Sequence, residues 1–250
     1  MSTGVSTAVG RIVWHDHMSD EPERAQSFYN DLLGWETEVW KPGEMDYRMI
    51  KVGERTHGGF GSAQGGGRPH WLSHVCVEDV DGAVKKAEAG GGAQLAPAMD
   101  IPEVGRMAVI RDPQGAAISL FTPTGEAPER ATVFSWDELW TSDLEAAKRF
   151  YAEVVGWRAN AMDMGDSGTY VLFGIADTDH AGAMQTEAEM RVPPNWLPYL
   201  ETDDLDAALP RAESLGGKVM MPRMDMEGIG AFAVLQDSVG AAFGLLQPAR

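Results

Sequence analysis

Two short runs hold the side chains best suited to chemistry. Read as extended strands, Trp14-His15-Asp16-His17-Met18 puts an indole, a carboxylate and a thioether on one face and two imidazoles on the other. Trp136-Asp137-Glu138-Leu139-Trp140 has the same form. Desolvation beside indole favours the neutral form of a carboxyl group, which suits Asp16 and Glu138 to general acid–base work. Trp14, Trp136 and Trp140 have flat faces on which a planar molecule can stack. In the opposite register, His15 and His17 form a His-x-His pair, a metal-ligand pattern with His70 or His74 nearby. Their counterparts, Asp137 and Leu139, preserve no ligand set. Each reading has a structural alternative: indoles filling a core, carboxylates holding loop backbone, histidines packed between sheet and helix.

These runs occupy equivalent places in a duplicated chain. Phe28-Tyr29-Asn30-Asp31-Leu32-Leu33-Gly34-Trp35 returns as Phe150-Tyr151-Ala152-Glu153-Val154-Val155-Gly156-Trp157. His70-Trp71-Leu72 returns as Asn195-Trp196-Leu197, Asp79 as Asp204, and Asp112 with Gly115-Ala116 as Asp237 with Gly240-Ala241. Near-constant offsets over such lengths mark a repeated module, so each copy is a control on the other. Each copy opens with a strand, over residues 11–18 and 134–140. Ser19-Asp20 and Ser142-Asp143 are expected to cap the helix that follows, which Gly34 and Gly156 stop. Further strands are expected over residues 47–52 and 71–77. The glycines between 58 and 67 are read as a flexible loop and potential lid, since they lack the strand–turn–helix setting of a phosphate-binding loop. A second helix starts near Asp79 and ends at Gly90-Gly91-Gly92. Asp112-Pro113-Gln114-Gly115 makes the turn between the last two strands. This gives two modules, residues 1–124 and 131–250, joined by a linker at 123–130, in a tandem βαβββ pattern with extra helices: an α+β protein.

Composition narrows the partners. A net charge of −18 repels nucleic-acid phosphates and anionic membrane surfaces. No apolar run is long enough to span a bilayer, and the first ten residues do not read as a secretory signal, so the cytoplasm is the expected compartment. The single cysteine, Cys76, excludes an internal disulfide and reads as a small buried hydrophobe. Eight of the methionines fall in the second copy, among them Met190 and a cluster from Met220 to Met226 read as loop, and they are expected to fill gaps.

The Phe-Tyr-x-x-x-x-Gly-Trp helix end, the Asp-Val-Asp or Asp-Leu-Asp helix start and the Asp-Pro-x-Gly turn resemble the vicinal oxygen chelate superfamily, the glyoxalase, bleomycin-resistance and extradiol-dioxygenase group. The Trp-x-Asp/Glu and Trp-x-x-His/Tyr strands look most like its tandem bacterial members. The resemblance implies modules whose sheets curl around a shared cavity. It also implies metal ligands on the first strand, on the strand before the second helix and on the last strand. Those positions carry Trp14, Leu72 and Ser119 in one copy and Trp136, Leu197 and Gly244 in the other, none a usual metal ligand, so no metal or other cofactor is expected.

The cavity that the resemblance implies would be lined by Trp14, Asp16, Leu72, His74, Cys76, Ser119 and Phe121. The second copy would contribute Trp136, Glu138, Trp140, Leu197, Tyr199, Glu201, Gly244 and Leu246. An aromatic, mostly apolar lining with a few polar groups is the composition of a small-molecule site. Four functions follow. The first is metal-free binding of an apolar or aromatic molecule, such as a natural product or drug. The second is a metal-free acid–base enzyme of lyase, isomerase or hydroxylase type, using Asp16 or Glu138 with His74 or Tyr199. The third, a metal-dependent glyoxalase or dioxygenase, requires the opposite strand register, and the fourth is an interaction protein with a vestigial cavity. A monomer suffices, and a homodimer is compatible.

Overall fold

The computed structural model describes residues 8–41, 46–63, 67–125, 133–165, 168–187 and 192–249. Residues 126–130 of the expected linker, Gly65 and Gly66 of the glycine-rich segment, and Met190 lie outside them. The first copy runs β1 (Ile12–Ser19), α1 (Pro22–Leu33), β2 (Glu36–Trp40), β3 (Tyr47–Val52), β4 (Arg55–Ser62), β5 (His70–Cys76), α2 (Val80–Ala89), β6 (Ala93–Gln94), β7 (Met99–Ile101), β8 (Gly105–Arg111) and β9 (Ala117–Pro123). The second runs β10 (Phe134–Thr141), α3 (Leu144–Val154), β11 (Arg158–Asp163), β12 (Thr169–Ile175), β13 (Thr178–Gln185), β14 (Asn195–Glu201), α4 (Leu205–Ser214), β15 (Lys218–Met226), β16 (Gly230–Gln236) and β17 (Ala242–Pro248). The α+β class holds, and each copy contains the strand–helix–strands pass twice.

Each sheet is drawn from one copy. The first has the order β2-β3-β4-β1-β5-β9-β8-β6, with β7 also on β8; the second is β11-β12-β13-β10-β14-β17-β16-β15. In every pass the opening strand runs parallel to the closing one, β1 with β4, β5 with β9, β10 with β13 and β14 with β17. The helix between them is the crossover that a parallel pair needs.

Local chemistry sets the helix ends. Asp79, Asp143 and Asp204 sit in extended backbone and accept N–H groups of the first helical turn, as N-cap carboxylates do. Helix α1 departs from the expected Ser19-Asp20 cap. Ser19 is a buried strand residue, and the helix opens at Pro22 after Glu21, with no side-chain cap. Proline has no N–H to satisfy, so the first turn tolerates it. Gly34 ends α1 in the left-handed region, at φ 71°. Gly58 to Gly61 are not a loop: they lie inside β4. Met220 to Met226 likewise belong to the edge strand β15, where Met220 and Met224 are exposed.

Two compact units cut across the copies. One comprises residues 1–14, 73–130 and 136–196; the other comprises 15–72, 131–135 and 197–250. In the first, α2 and α3 pack together, and Val84, Ala87, Phe150, Tyr151 and Val154 close against Val75, Ile118, Leu139 and Trp196. In the second, α1 and α4 contribute Phe28, Tyr29, Leu205 and Ala212 to a core with Ile50, Trp71, Phe134 and Phe243.

A matched polar network lies in each core. The Tyr29 hydroxyl accepts the Trp71 indole N–H at 2.9 Å and donates to Asp237 Oδ2 at 3.0 Å. The other oxygen, Oδ1, accepts the backbone N–H groups of Val239, Gly240 and Ala241 and so shapes the turn before β17. In the other unit Tyr151 accepts from Trp196 at 2.9 Å and donates to Asp112 Oδ2 at 3.1 Å. Oδ1 of Asp112 holds the N–H groups of Gln114, Gly115 and Ala116. Burial raises both phenols well above their ordinary range and raises Asp112 too, despite its hydrogen bonds. His17 adds its Nε2 to Asp237 Oδ2 at 2.7 Å, a bond that Leu139, its counterpart, cannot make.

Replacing Tyr151 with Phe leaves a buried indole N–H and a buried carboxylate oxygen short of one partner each. The expected loss is about 1–3 kcal/mol, read as a lower urea midpoint at unchanged slope.

Candidate functional site

The faces of the opening strands decide which side chains are available. Along β1, Trp14, Asp16 and Met18 are partly exposed, whereas His15, His17 and Ser19 are buried. His15 stacks on Phe134 with ring centres 3.9 Å apart, and His17 lies among Tyr29, Phe60 and Trp71. The His-x-His pair is therefore core packing. In β10 the matching Asp137 accepts from Ser73 at 2.7 Å.

On the other face each copy holds a carboxylate against a phenol. Glu138 Oε2 accepts the Tyr170 hydroxyl at 2.8 Å, and Oε1 accepts the Trp140 indole N–H at 2.6 Å. Trp136 donates its indole N–H to the Tyr170 oxygen at 2.9 Å. In the first copy the Tyr47 hydroxyl donates to Asp16 Oδ1, and Trp40 meets the Tyr47 ring edge-on. The strand register repeats as well, with Asp16 opposite Gly59 and Glu138 opposite Gly182. A Cβ on Gly59 would fall 2.1 Å from the Tyr47 hydroxyl oxygen, and one on Gly182 would fall 1.9 Å from that of Tyr170. Both phenols thus reach their carboxylates by lying over a strand backbone that glycine leaves bare. Burial, then the charge on Glu138, raises the Tyr170 phenol far above its ordinary range, so it stays a protonated donor.

Sequence reasoning missed Tyr47, Tyr170 and the two glycines. The signal was present: Tyr47 opens one strand as Tyr170 nearly opens its repeat, and Gly59 and Gly182 recur at the same spacing. Hydrophobic pattern alone does not say which tyrosine reaches which carboxylate two strands away.

The remaining expected residues take these places. His74 pairs with Ser119, and Cys76 with Phe121, across β5 and β9. All four are buried, and Phe121 and Cys76 pack with Val13 and Ala8. Tyr199 pairs with Gly244 and lies against it, since a Cβ there would sit 2.3 Å from the ring. Its ring also meets Phe232 edge-on. Leu72 and Leu197 are buried, Leu246 is partly exposed, and Trp140 is buried as it braces Glu138.

The donor set does not fit a metal. At the positions where the resemblance places ligands, leucine and glycine side chains have no donor atom, and the Trp136 indole N–H is a donor spent on Tyr170. Among the described residues, no group of three His, Cys, Asp or Glu side chains is arranged to hold a metal ion. Nor is any helix among them long and apolar enough to cross a membrane.

Doubled sheets of this topology, with helices crossing between parallel strands, define a glyoxalase-like protein, and the chain belongs to the glyoxalase/bleomycin resistance protein/dioxygenase superfamily. Residues 133–245 match the model of that superfamily and residues 13–121 match a glyoxalase-like domain. The chain is 32% identical over 247 residues to "Putative glyoxylase CFP32" of Mycobacterium tuberculosis (strain CDC 1551 / Oshkosh), covering 94% of each chain. It is 31% identical over 261 residues to the anthracycline biosynthesis protein DauV of Streptomyces sp. (strain C5), covering 96% of this chain and 94% of that one. Among solved structures, 2,2',3-trihydroxybiphenyl 1,2-dioxygenase from Sphingomonas wittichii strain RW1 matches with a TM-score of 0.66 at 12% identity, over 95% and 90% of the two chains. The Mn(II)-bound glyoxalase from Novosphingobium aromaticivorans matches with a TM-score of 0.64 at 14% identity, over 97% and 83%. At such identities the likeness is one of fold.

Two measurements test this geometry. Burial pushes the Cys76 thiol up to about 11, so at pH 8 it is the unreactive protonated form. Labelling by a chromogenic disulfide is expected to be negligible in the folded protein at that pH and complete in denaturant. Gly182→Ala is expected to displace Tyr170 and cost about 1–3 kcal/mol of stability, with a changed near-ultraviolet signal from the tryptophans.

Proposed function

We propose that the chain binds a flat aromatic small molecule without recruiting a metal. The observation that carries this reading is the carboxylate–phenol–indole cluster on the first strand of each copy, where Trp14, Asp16 and Trp136 are partly exposed and Glu138 is buried. Trp136 donates to Tyr170, Tyr170 to Glu138, and Trp140 to Glu138, so the carboxylate is oriented before any ligand arrives. Pre-ordering of this kind lowers the entropy lost on binding. A planar ligand would stack on the partly exposed indoles and give hydroxyl or amine protons to the carboxylate, the division of labour usual in small-molecule sites. The similarity to the Streptomyces anthracycline biosynthesis protein supports a fused-ring ligand. The absence of imidazole and carboxylate from the expected ligand positions supports binding without metal.

The test is titration with the anthracycline daunorubicin and with its uncharged aglycone, followed by quenching of tryptophan fluorescence, with and without EDTA. Micromolar affinity, about −8 kcal/mol, is expected for both probes and unchanged by EDTA. Asp16→Asn combined with Glu138→Gln is expected to weaken both about tenfold or more. Absence of quenching by either probe, or binding that EDTA abolishes and Mn²⁺ or Zn²⁺ restores, would overturn the reading.

A further inference from the structure

We infer that the second sheet carries a strip for the rings of a cationic aromatic ligand, with Glu201 receiving the positive charge. The inference rests on the ligand-binding reading above and adds the charge of the ligand and the surface its rings cover. Leu200, Ala231, Ala233 and Leu245 belong to a helix-lined core, so alternation turns Glu201, Phe232 and Leu246 to the opposite face. Register then lines these up. Met224 lies opposite Phe232, Phe232 opposite Leu246, and Leu246 opposite Glu201. One row of side chains thus crosses β15, β16, β17 and β14, and all of it falls within one compact unit.

The chemistry of the row suits a flat apolar body with a charge at one end. Met224 is 45% exposed, and Phe232 and Leu246 are partly exposed. Tyr199 lies over the bare backbone of Gly244 and meets Phe232 edge-on, which fixes the phenyl ring. A thioether and a fixed aromatic ring both favour contact with another aromatic ring. At the end of the row stands the exposed carboxylate of Glu201, which complements a cation. Strand pairing with a second chain does not account for the exposed methionine. The edge strand β15 contains Pro222 and two shifts of register, features that blunt an edge against strand addition.

The first copy is the control. Its equivalent row, Met99, Met107, Phe121 and Cys76, is aligned by the same register. There the inner end is filled by the chain itself: Phe121 and Cys76 are buried and pack with Ala8 and Val13. The same place in the second copy has Leu246 for Phe121 and Glu201 for Cys76, and both are accessible. A position that takes apolar groups in one copy is thus left uncovered in the other, with a carboxylate added beside it.

Calorimetric titration of the full chain at low salt decides this, with daunorubicin, whose amino sugar is cationic, and its uncharged aglycone, beside the Glu201→Gln variant. Daunorubicin is expected to bind about fivefold tighter than the aglycone, the size of an exposed ion pair, and Glu201→Gln to abolish that advantage. In protein labelled with ¹³C at the methionine methyls, the Met224 signal, identified by its loss in Met224→Leu, should move upfield under ring currents at saturation. The Met162 signal, from the equally exposed edge strand β11, should stay in place. Equal affinities for the two probes, or an unmoved Met224 methyl, would overturn the inference and leave the ligand-binding reading standing. So would an advantage that survives Glu201→Gln, since that would belong to the general field of a chain of net charge −18. No binding of either probe would sink the ligand-binding reading itself.

Discussion

Everything else in this molecule depends on a buried phenol that satisfies an indole on one side and an aspartate on the other. Tyr29 and Tyr151 sit at the centres of their cores, and neither bond is optional there: a buried indole N–H or carboxylate oxygen without a partner costs as much as several apolar contacts supply. The aspartate then spends its second oxygen on three successive backbone N–H groups, so the same residue that completes the core also sets the turn leading into the last strand. The partner in each case comes from the other copy. Tyr29 of the first copy meets Asp237 of the second, and Tyr151 of the second meets Asp112 of the first. Duplication is thereby built into the stability of the protein, because neither copy satisfies its own tyrosine.

That constraint also allocates the two faces of the opening strands. Once His17 points at Asp237 and His15 stacks on Phe134, alternation sends Asp16 and Met18 the other way. The imidazoles, the most suggestive residues for metal chemistry, are consumed by the core. The acids, which a sequence can as well explain as loop anchors, are left for tyrosines that reach them across bare glycine backbone, Asp16 partly exposed and Glu138 buried.

The copies differ in how far they hold to this plan. The first copy contributes an imidazole, His17, to the aspartate that its tyrosine meets; the second has leucine at that position, and its Trp140 indole donates to Glu138. Closely similar sheets thus carry different side-chain networks. This asymmetry fits a family in which fold constrains chemistry weakly and individual side chains decide it.

Much was legible in the chain itself. The repeat, the aspartate caps at Asp79, Asp143 and Asp204 and the glycine stop at Gly34 follow from local rules, namely helix capping and left-handed backbone. Local rules misread the glycines of β4 as loop, because a glycine kept for a neighbour's approach looks the same in sequence as one kept for flexibility. They also could not find Tyr47 and Tyr170, which lie two strands from their acids in the sheet and about thirty residues away in the chain. The sequence by itself determined that there are two copies and where most of their helices are capped and stopped, because those are short-range steric and hydrogen-bonding demands. Only the tertiary structure decided which tyrosine meets which acid and that each core draws on both copies, because such pairings depend on strand order and crossover, which no local pattern encodes.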